Sequence, residues 1–174
     1  MSTPHQPAAR SEEPHWLTPE QLQAWQAFTF MLARLPTALE AQLRCDAQLS
    51  YVEYYVLAGL SDQPDHTMRM SRLAVLANAE LSRLSHLIGR LEKRGFVRRA
   101  PDPTDGRYTN AVLTDRGYAH LVAAAPGHVG RVRELVVDAL GDDALYALRD
   151  ISERIIAEID RSEPCGPMDF PTSG

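Results

Sequence analysis

Residues 69–117 decide the fold, and they read RMSRLAVLANAELSRLSHLIGRLEKRGFVRRAPDPTDGRYTNAVLTDRG. A short apolar segment (70–77) and a turn precede a second segment (80–94) that has Leu or Ile at three- and four-residue steps. Two runs of strand-forming residues, 96–100 and 108–113, then flank a loop rich in Pro, Asp and Gly. This order predicts two helices joined by a tight turn, followed by a two-stranded ribbon.

The second helix has one apolar and one polar face. At 100° per residue, one arc collects the side chains that we expect in the core: Leu81, Leu84, Leu87, Ile88 and Leu91. The other side carries hydroxyl groups, a His and cations: Ser82, Arg83, Ser85, His86, Arg90 and Lys93. Such side chains suit a helix in the major groove of DNA, because cations reach phosphates and guanine edges.

Local sequence signals predict both ends of this helix, and one residue within it, Gly89, has two interpretations. Asn78 predicts an N-cap, and Gly95 predicts the end of the helix. Gly89 has two readings of equal weight. It either clears room for DNA or is a glycine that the helix tolerates, at a cost of roughly 1 kcal/mol relative to Ala.

Charge is distributed unevenly along the chain. Residues 69–117 contain ten Arg or Lys and five Asp or Glu, whereas the whole chain has a net charge of −5. The segment is therefore +5 and the remainder is −10. A basic segment in an acidic protein indicates a local surface for a polyanion.

The spacing of these residues resembles the winged helix-turn-helix of the multiple antibiotic resistance regulator (MarR) family. Three runs carry the resemblance: LEKRGFVRR at 91–99, DPTDGR at 102–107 and LTDRG at 113–117. One position departs from the family, which often has another Arg where this chain has Gly106.

The resemblance implies a mainly α fold with a small β-wing. We expect a single domain over residues 17–162. Its DNA-binding lobe would cover about 50–117, and dimerisation helices would cover about 18–46 and 118–161.

The wing carries the most specific candidate residue. In the family, the Arg at the position of Arg107 enters the minor groove and the Asp at the position of Asp105 steadies it. A narrow minor groove has enhanced negative potential, and a guanidinium held by a carboxylate loses less freedom on binding. A solvated hairpin tip is the alternative. Arg98 and Arg99 on the first ribbon strand are candidates for phosphate contacts.

Helix-capping signals mark the other helices. Thr18 and Ser50 each begin a capping box, and Thr114 predicts the start of the fifth helix. Pro36 should kink the first helix or remove one hydrogen bond, and Pro126 should interrupt the fifth.

Composition limits the function classes. The chain has no zinc-protease, phosphate-loop or nucleophile-elbow motif, so we expect neither an enzyme nor a cofactor or metal site. No apolar run approaches the roughly 20 residues of a membrane span. Two Cys make a disulfide framework improbable, and no signal peptide is predicted, which favours the cytoplasm. Residues 1–16 and 163–174 lack periodicity, and we expect disorder.

The function that the resemblance implies is transcriptional regulation. We expect a homodimeric repressor that binds a pseudo-palindromic operator in double-stranded DNA and is released by a small-molecule effector. Family effectors often bind between the dimerisation helices and the DNA-binding lobe, where the candidates are Trp25, Phe28, Met31, Tyr54 and Tyr55. These five residues also fit an ordinary core. The competing function is a ligand-sensing or protein-interaction dimer that does not bind DNA.

Overall fold

The computed structural model describes residues 14–162 of the 174-residue chain. The disorder predicted for residues 1–13 and 163–174 therefore concerns segments outside the described residues. The chain divides after Leu35 into two compact units, which are described separately below.

The described chain is mainly α-helical with one small sheet, as the sequence predicts. Its helices and strands, in order, are α1 (Pro19–Ala47), α2 (Tyr51–Ser61), β1 (Thr67–Arg69), α3 (Met70–Leu76), α4 (Leu81–Lys93), β2 (Val97–Pro101), β3 (Thr109–Leu113), α5 (Asp115–Val132), α6 (Asp138–Leu140) and α7 (Asp142–Ser162).

The helix starts predicted at Thr18, Ser50 and Thr114 are confirmed. Before α1, the Thr18 amide donates to Gln21 Oε1 at 2.9 Å and the Gln21 amide donates to Thr18 Oγ1 at 3.3 Å. Ser50 and Glu53 make the same reciprocal pair at the start of α2, at 3.0 and 3.1 Å. Thr114 Oγ1 accepts a hydrogen bond from an amide in the first turn of α5. Each pair satisfies backbone donors that a helix start leaves unpaired.

The interruption predicted at Pro126 is wrong, because α5 continues through it to Val132. Proline removes one donor and strains one turn. In α5 that turn is fixed by packing on both sides: Leu121 and Ala124 are buried before it, and the His128 ring lies 4.3 Å from the Tyr54 ring after it. Tertiary contacts therefore outweigh the local preference.

Pro36 also lies inside a helix, since α1 extends from Pro19 to Ala47. Proline has no N–H group, so Pro36 donates no hydrogen bond to the carbonyl of Leu32. The second unit begins at Pro36, and two leucines that follow in α1, Leu39 and Leu43, are buried.

The wing is a three-stranded antiparallel sheet in the order β1-β3-β2, so the prediction of a two-stranded ribbon missed one strand. β3 is central: Arg69 of β1 lies opposite Asn110, and Val97 of β2 lies opposite Leu113. β1 has only three residues, which is too short to show the alternation by which a strand is recognised.

One hydrophobic core joins α2, α3, α4, the sheet and the first half of α5. Its largest fully buried side chains are aliphatic: Leu49, Val56, Leu57, Leu60, Leu73, Leu84, Ile88 and Leu91. This core fixes α4 against the sheet, and thereby positions the wing beside it.

A wider π-helical turn, Arg133–Val137, separates α5 from α6. An ion pair spans it, with Arg133 Nη2 donating to Asp138 Oδ1 at 2.7 Å. Gly141 then ends α6 with a φ of 71°, a conformation that glycine adopts without steric cost.

The last helix leaves an apolar stripe uncovered. Ile151, Ile155 and Ile159 recur every four residues along α7 and are 39–51% exposed. No residue of α7 is buried. The stripe lies on one face of the helix, a pattern typical of helices that pack against another surface.

Gly117 fixes the start of α5 against the sheet, and we predict that Gly117→Ala destabilises the protein. A Cβ there would overlap the Phe96 carbonyl oxygen and lie 2.8 Å from Leu113 Cδ1. Overpacking of this kind costs roughly 1–3 kcal/mol. Urea denaturation at fixed protein concentration measures the change.

Gly130→Ala in the same helix is the control, since its Cβ would meet nothing within 4 Å. It should raise the free energy of unfolding by about 0.5–1 kcal/mol. Equal effects of the two substitutions would contradict the close contact at Gly117.

Candidate nucleic-acid interface

The packing of α4 turns its polar face toward solvent. Leu84, Leu87, Ile88 and Leu91 are buried, as predicted. Leu81 was expected in the same arc but is 53% exposed, so that expectation is wrong. Leu81 is the first residue of α4, one turn before the buried stripe begins. All six predicted polar contacts are exposed: Ser82, Arg83, Ser85, His86, Arg90 and Lys93.

The turn before α4 differs from the prediction. Asn78 does not cap the helix; Glu80 is the N-cap residue, and it makes no side-chain capping bond. Asn78 instead has a φ of 43°, in the left-handed region that Asn tolerates better than most residues. This conformation makes the tight turn between α3 and α4, which the Ala79 amide closes with a 2.9 Å bond to the Ala74 carbonyl.

Gly89 leaves open space on α4. A Cβ at this position would meet nothing within 4 Å. The packing of the free protein therefore does not require a glycine there, and both readings of Gly89 remain open.

The last turn of α4 is tied to α2 by a buried carboxylate. Glu53 is buried, and its Oε1 accepts a 3.3 Å hydrogen bond from Arg90 Nε. Arg94 Nη1 donates to the Gln48 carbonyl at 2.9 Å. Arg90 is thus exposed and at the same time held by an internal partner.

Arg99 of β2 joins the wing to α4. Its Nη2 donates to the Ser85 carbonyl at 2.6 Å and its Nη1 to Glu92 Oε2 at 2.7 Å. The Arg99 amide also donates to Glu92 Oε1 at 2.9 Å. The neighbouring Arg98 is exposed and makes no ion pair within residues 14–162. The two phosphate candidates therefore have different surroundings.

The wing tip presents one guanidinium to solvent. The Arg107 side chain is 85% exposed, and Asp105 accepts from its Nη2 at 2.6 Å and its Nε at 3.0 Å. These bonds hold the pKa of Asp105 below its usual value, so this carboxyl is ionised at neutral pH. The contact that the sequence interpretation requires between Asp105 and Arg107 is present, whereas their role in binding stays a prediction.

A second Asp–Arg pair lies at the base of the wing. Asp102 is buried, and its Oδ2 accepts a 2.7 Å bond from Arg69 Nε. Its Oδ1 accepts from the Thr104 hydroxyl at 2.6 Å and from the Thr104 amide at 2.9 Å. Hydrogen bonds from Thr104, and then from Arg69, hold the pKa of Asp102 well below its usual range. The predicted site residues do not include this pair.

For one member of this pair, Asp102, the sequence does indicate a structural role. Asp-Pro-Thr at 102–104 is rich in residues whose side chains bond nearby backbone amides, which indicates a turn built on Asp102. Nothing in the sequence indicates that the second partner is Arg69, which lies 33 residues earlier.

A groove of about 290 Å³ lies between the wing and α4. Its walls combine three guanidinium groups with hydroxyl and apolar side chains: Arg69, Met70, Ser71, Leu81, Ser85, Arg99, Arg107, Tyr108 and Thr109. A concave surface that carries several cations beside an exposed helix face suits a phosphate backbone.

The five candidate effector residues belong to both units of the chain. In residues 14–35, the Trp25 and Phe28 rings are 6.2 Å apart, and Met31 is exposed. In the second unit, burial raises the pKa of Tyr54, and Tyr55 is stacked on Tyr51 at 6.2 Å. Binding of an effector by these residues stays a prediction.

Other chemistry is sparse in the part of the chain that the structure describes. Within residues 14–162 there is no group of three His, Cys, Asp or Glu placed to hold a metal ion. Cys45 is exposed and free, and Cys165 lies outside these residues. No described helix is both long and apolar enough to cross a bilayer.

A helix-turn-helix followed by two strands that complete a three-stranded sheet with β1, with cations on the helix and the sheet, defines a winged helix-turn-helix protein. A profile of the MarR family matches residues 47–107. Sco3205 of Streptomyces coelicolor, a MarR family transcriptional regulator crystallised in complex with DNA, is 40% identical and has a TM-score of 0.81. That match covers 91% of this chain and 98% of Sco3205.

Two further similar proteins are also transcriptional regulators by name. AbsC, a MarR family transcriptional regulator from the same organism, is 35% identical with a TM-score of 0.79, over 86% of this chain and 100% of AbsC. The transcriptional repressor YetL of Bacillus subtilis is 31% identical over 62% of this chain, and the match spans 66% of YetL, just under two thirds. The chain belongs to the MarR family.

We predict that Arg99→Ala lowers the free energy of unfolding by roughly 1–3 kcal/mol, because it removes charge-assisted hydrogen bonds and leaves Glu92 without its guanidinium partner. Arg98→Ala, one residue earlier and without such a partner among the described residues, should change it by less than about 0.5 kcal/mol. Thermal unfolding of both variants checks this. An unchanged free energy of unfolding for Arg99→Ala would show that this residue does not secure the wing.

Proposed function

We propose that this protein is a homodimeric transcriptional repressor that binds double-stranded DNA through α4 and the wing. The observation that carries the proposal is the exposed guanidinium of Arg107, held by Asp105 beside the exposed cationic face of α4. The DNA complex of Sco3205 and the name of the repressor YetL support it.

In this proposal α4 enters the major groove. Ser82, Ser85 and His86 are short or planar side chains on the exposed face, and they allow the backbone to approach base edges. Arg83 and Lys93 reach phosphates or guanine edges. The buried stripe on the opposite side fixes the rotation of the helix, so these side chains arrive in a defined orientation.

The wing enters the adjacent minor groove. Arg107 places a guanidinium where the negative potential of a narrow groove is strongest, and Asp105 restricts its motion beforehand. Arg98 on β2 contacts a backbone phosphate.

Two of the proposed contacts share their guanidinium groups with internal carboxylates. Arg90 bonds to Glu53, and Arg99 bonds to Glu92. An arginine has five N–H donors, so each can contact a phosphate through its remaining donors while it keeps the internal bond.

The homodimer would present two copies of this surface. A two-fold axis matches a pseudo-palindromic operator, with half-sites about one helical turn apart, roughly 34–36 Å. The exposed isoleucine stripe of α7 is the contact surface that we assign to the partner subunit.

Control by a small-molecule effector is part of the proposal. An effector that binds one arrangement of the two DNA-binding lobes more tightly than another would release DNA through that difference in affinity. Trp25, Phe28, Met31, Tyr54 and Tyr55 remain the candidate contacts. A regulator of this kind acts where the DNA is, in the cytoplasm.

The competing proposal, a ligand-sensing or protein-interaction dimer without DNA binding, has less support. Such a protein has no need to keep exposed cations on α4 together with an Asp-held arginine at the wing tip. The net charge of +5 in residues 69–117 would then lack a partner.

We predict that Arg107→Ala weakens specific DNA binding by roughly 1–3 kcal/mol. Fluorescence anisotropy with DNA from the protein's own upstream region, or with a site selected from random DNA, measures the affinity. Binding by the wild type should also weaken steeply as salt increases, because phosphate contacts release counterions.

Arg149→Ala on α7 is the matched control, because Arg149 also donates to a neighbouring carboxylate, Asp150 Oδ1, at 2.8 Å. It should bind like the wild type. Unchanged affinity for Arg107→Ala would remove the wing from the mechanism. No binding by the wild type to any selected DNA would instead favour the dimer without DNA binding.

We predict that Ile155→Glu combined with Ile159→Glu converts the dimer into monomers, because it places charges on the apolar stripe of α7. Analytical ultracentrifugation measures the mass. Ala157→Glu introduces the same charge on the opposite face of α7, roughly 160° from Ile155 at 100° per residue, and should leave the mass unchanged. A dimer that survives both isoleucine substitutions would locate the interface elsewhere.

A further inference from the structure

Arg69 belongs to the wing through the strand β1, which the sequence pattern does not predict. It is the last residue of β1, opposite Asn110 of β3, and directly precedes α3. Its side chain is 45% exposed and lines the groove between the wing and α4 together with Arg107. The three-stranded sheet thus brings two arginines that are 38 positions apart in the chain to one surface.

The guanidinium of Arg69 is fixed from two sides. Asp102 accepts from its Nε at 2.7 Å, and the ring centroid of Tyr108 lies 4.7 Å from its central carbon. Its contact with Thr104 is long, with 3.4 Å between Nη2 and Oγ1. The short hydrogen bond of Arg69 therefore uses only its Nε–H group, whereas an arginine offers five N–H donors in a rigid fork.

Arg99, which lines the same groove, gives more of its N–H donors to internal partners than Arg69 does. Arg99 places short bonds on both terminal nitrogens, 2.7 Å to Glu92 and 2.6 Å to the Ser85 carbonyl. Arg69 places its one short bond on Nε, so its terminal nitrogens keep donors for a ligand. Held this way, it loses little conformational freedom when it binds an anion.

We propose that Arg69 is a DNA contact in its own right and binds a backbone phosphate beside the minor groove that Arg107 enters. The proposal rests on the DNA-binding function proposed above. The ligand is a phosphodiester, since the groove offers guanidinium and hydroxyl donors but no pattern that would distinguish bases. Arg69 therefore adds affinity for all sequences, whereas α4 supplies the preference among them.

The direct test is Arg69→Ala, measured by anisotropy on the selected operator and on unrelated duplex DNA over a range of salt concentrations. Loss of a charged hydrogen bond to phosphate should weaken binding to both DNAs roughly tenfold. The slope of log affinity against log salt should fall by about 0.9 for each subunit that loses the contact. Unchanged affinity and slope would overturn the proposal.

Arg69→Ala also leaves Asp102 as a buried charge without its cation, which could disturb the wing indirectly. The double variant Arg69→Ala with Asp102→Asn removes that charge. Thr104 and Asp105 donate to Oδ1, and Arg69 is the one donor to Oδ2 among residues 14–162, so an amide oxygen can keep the loop bonds while its nitrogen replaces Oδ2. If Arg69 contacts DNA, the double variant stays weak and keeps the shallower slope. Recovery of wild-type affinity and slope would show that Arg69 only clasps the loop.

Arg149→Ala is a matched control here as well. Arg149 pairs with Asp150, and its guanidinium lies 5.9 Å from the Tyr146 ring, so an exposed part of α7 combines the same three groups as the Arg69 site. It should retain wild-type binding. The two proposals fail differently: if wild type binds and Arg107→Ala weakens it while the Arg69 variants do not, only the role of Arg69 is lost. If wild type binds no DNA, the proposed function itself is lost.

Discussion

The burial of one face of α4 is the constraint on which the DNA-binding lobe depends. Leu84, Ile88 and Leu91 are almost completely removed from solvent, and each contributes roughly 1.5–3 kcal/mol of transfer free energy. Because an α-helix has 3.6 residues per turn, burial of this stripe fixes the rotation of α4 about its own axis. The hydroxyl groups and cations on the opposite face are therefore exposed by the same packing that stabilises the fold. In the proposed complex, this packing alone would orient α4 toward DNA.

The wing is attached differently, by charged groups. Arg99 bonds to α4 through Glu92, and Asp102 secures the loop to β1 through Arg69. Both arginines also face the groove that we assign to DNA. A phosphate arriving there competes with, or adds to, the carboxylates already present. In the proposed complex, the same two guanidinium groups would attach the wing and bind DNA, so a substitution at either site would change both wing attachment and DNA binding.

Much of this fold can be predicted from local sequence rules. The predictions that were wrong or missing have physical explanations. The sequence predicts the capping boxes at Thr18 and Ser50 and the leucine stripe of α4, because the successive residues that form each of them lie within four positions of one another. β1, with three residues, is defined by its pairing with β3 and by no pattern of its own. The helix continues through Pro126 because tertiary packing outweighs one lost hydrogen bond. In the candidate site, the Asp105–Arg107 contact is the one that the resemblance to the family implies. Arg69 and Asp102 are brought together only by the sheet.

The π-helical turn at Arg133–Val137 changes the rotational phase of everything that follows it. In an uninterrupted α-helix, Val129 and Leu140 are eleven residues apart, about three full turns, and would lie on one line along the helix. The wide turn inserts one extra residue, so Leu140 is rotated by roughly 100° from that line. Both side chains are exposed. The inserted residue turns them toward different directions. A partner that packs along α5 therefore cannot follow one straight seam into α6. It must either turn with the chain or meet a second surface.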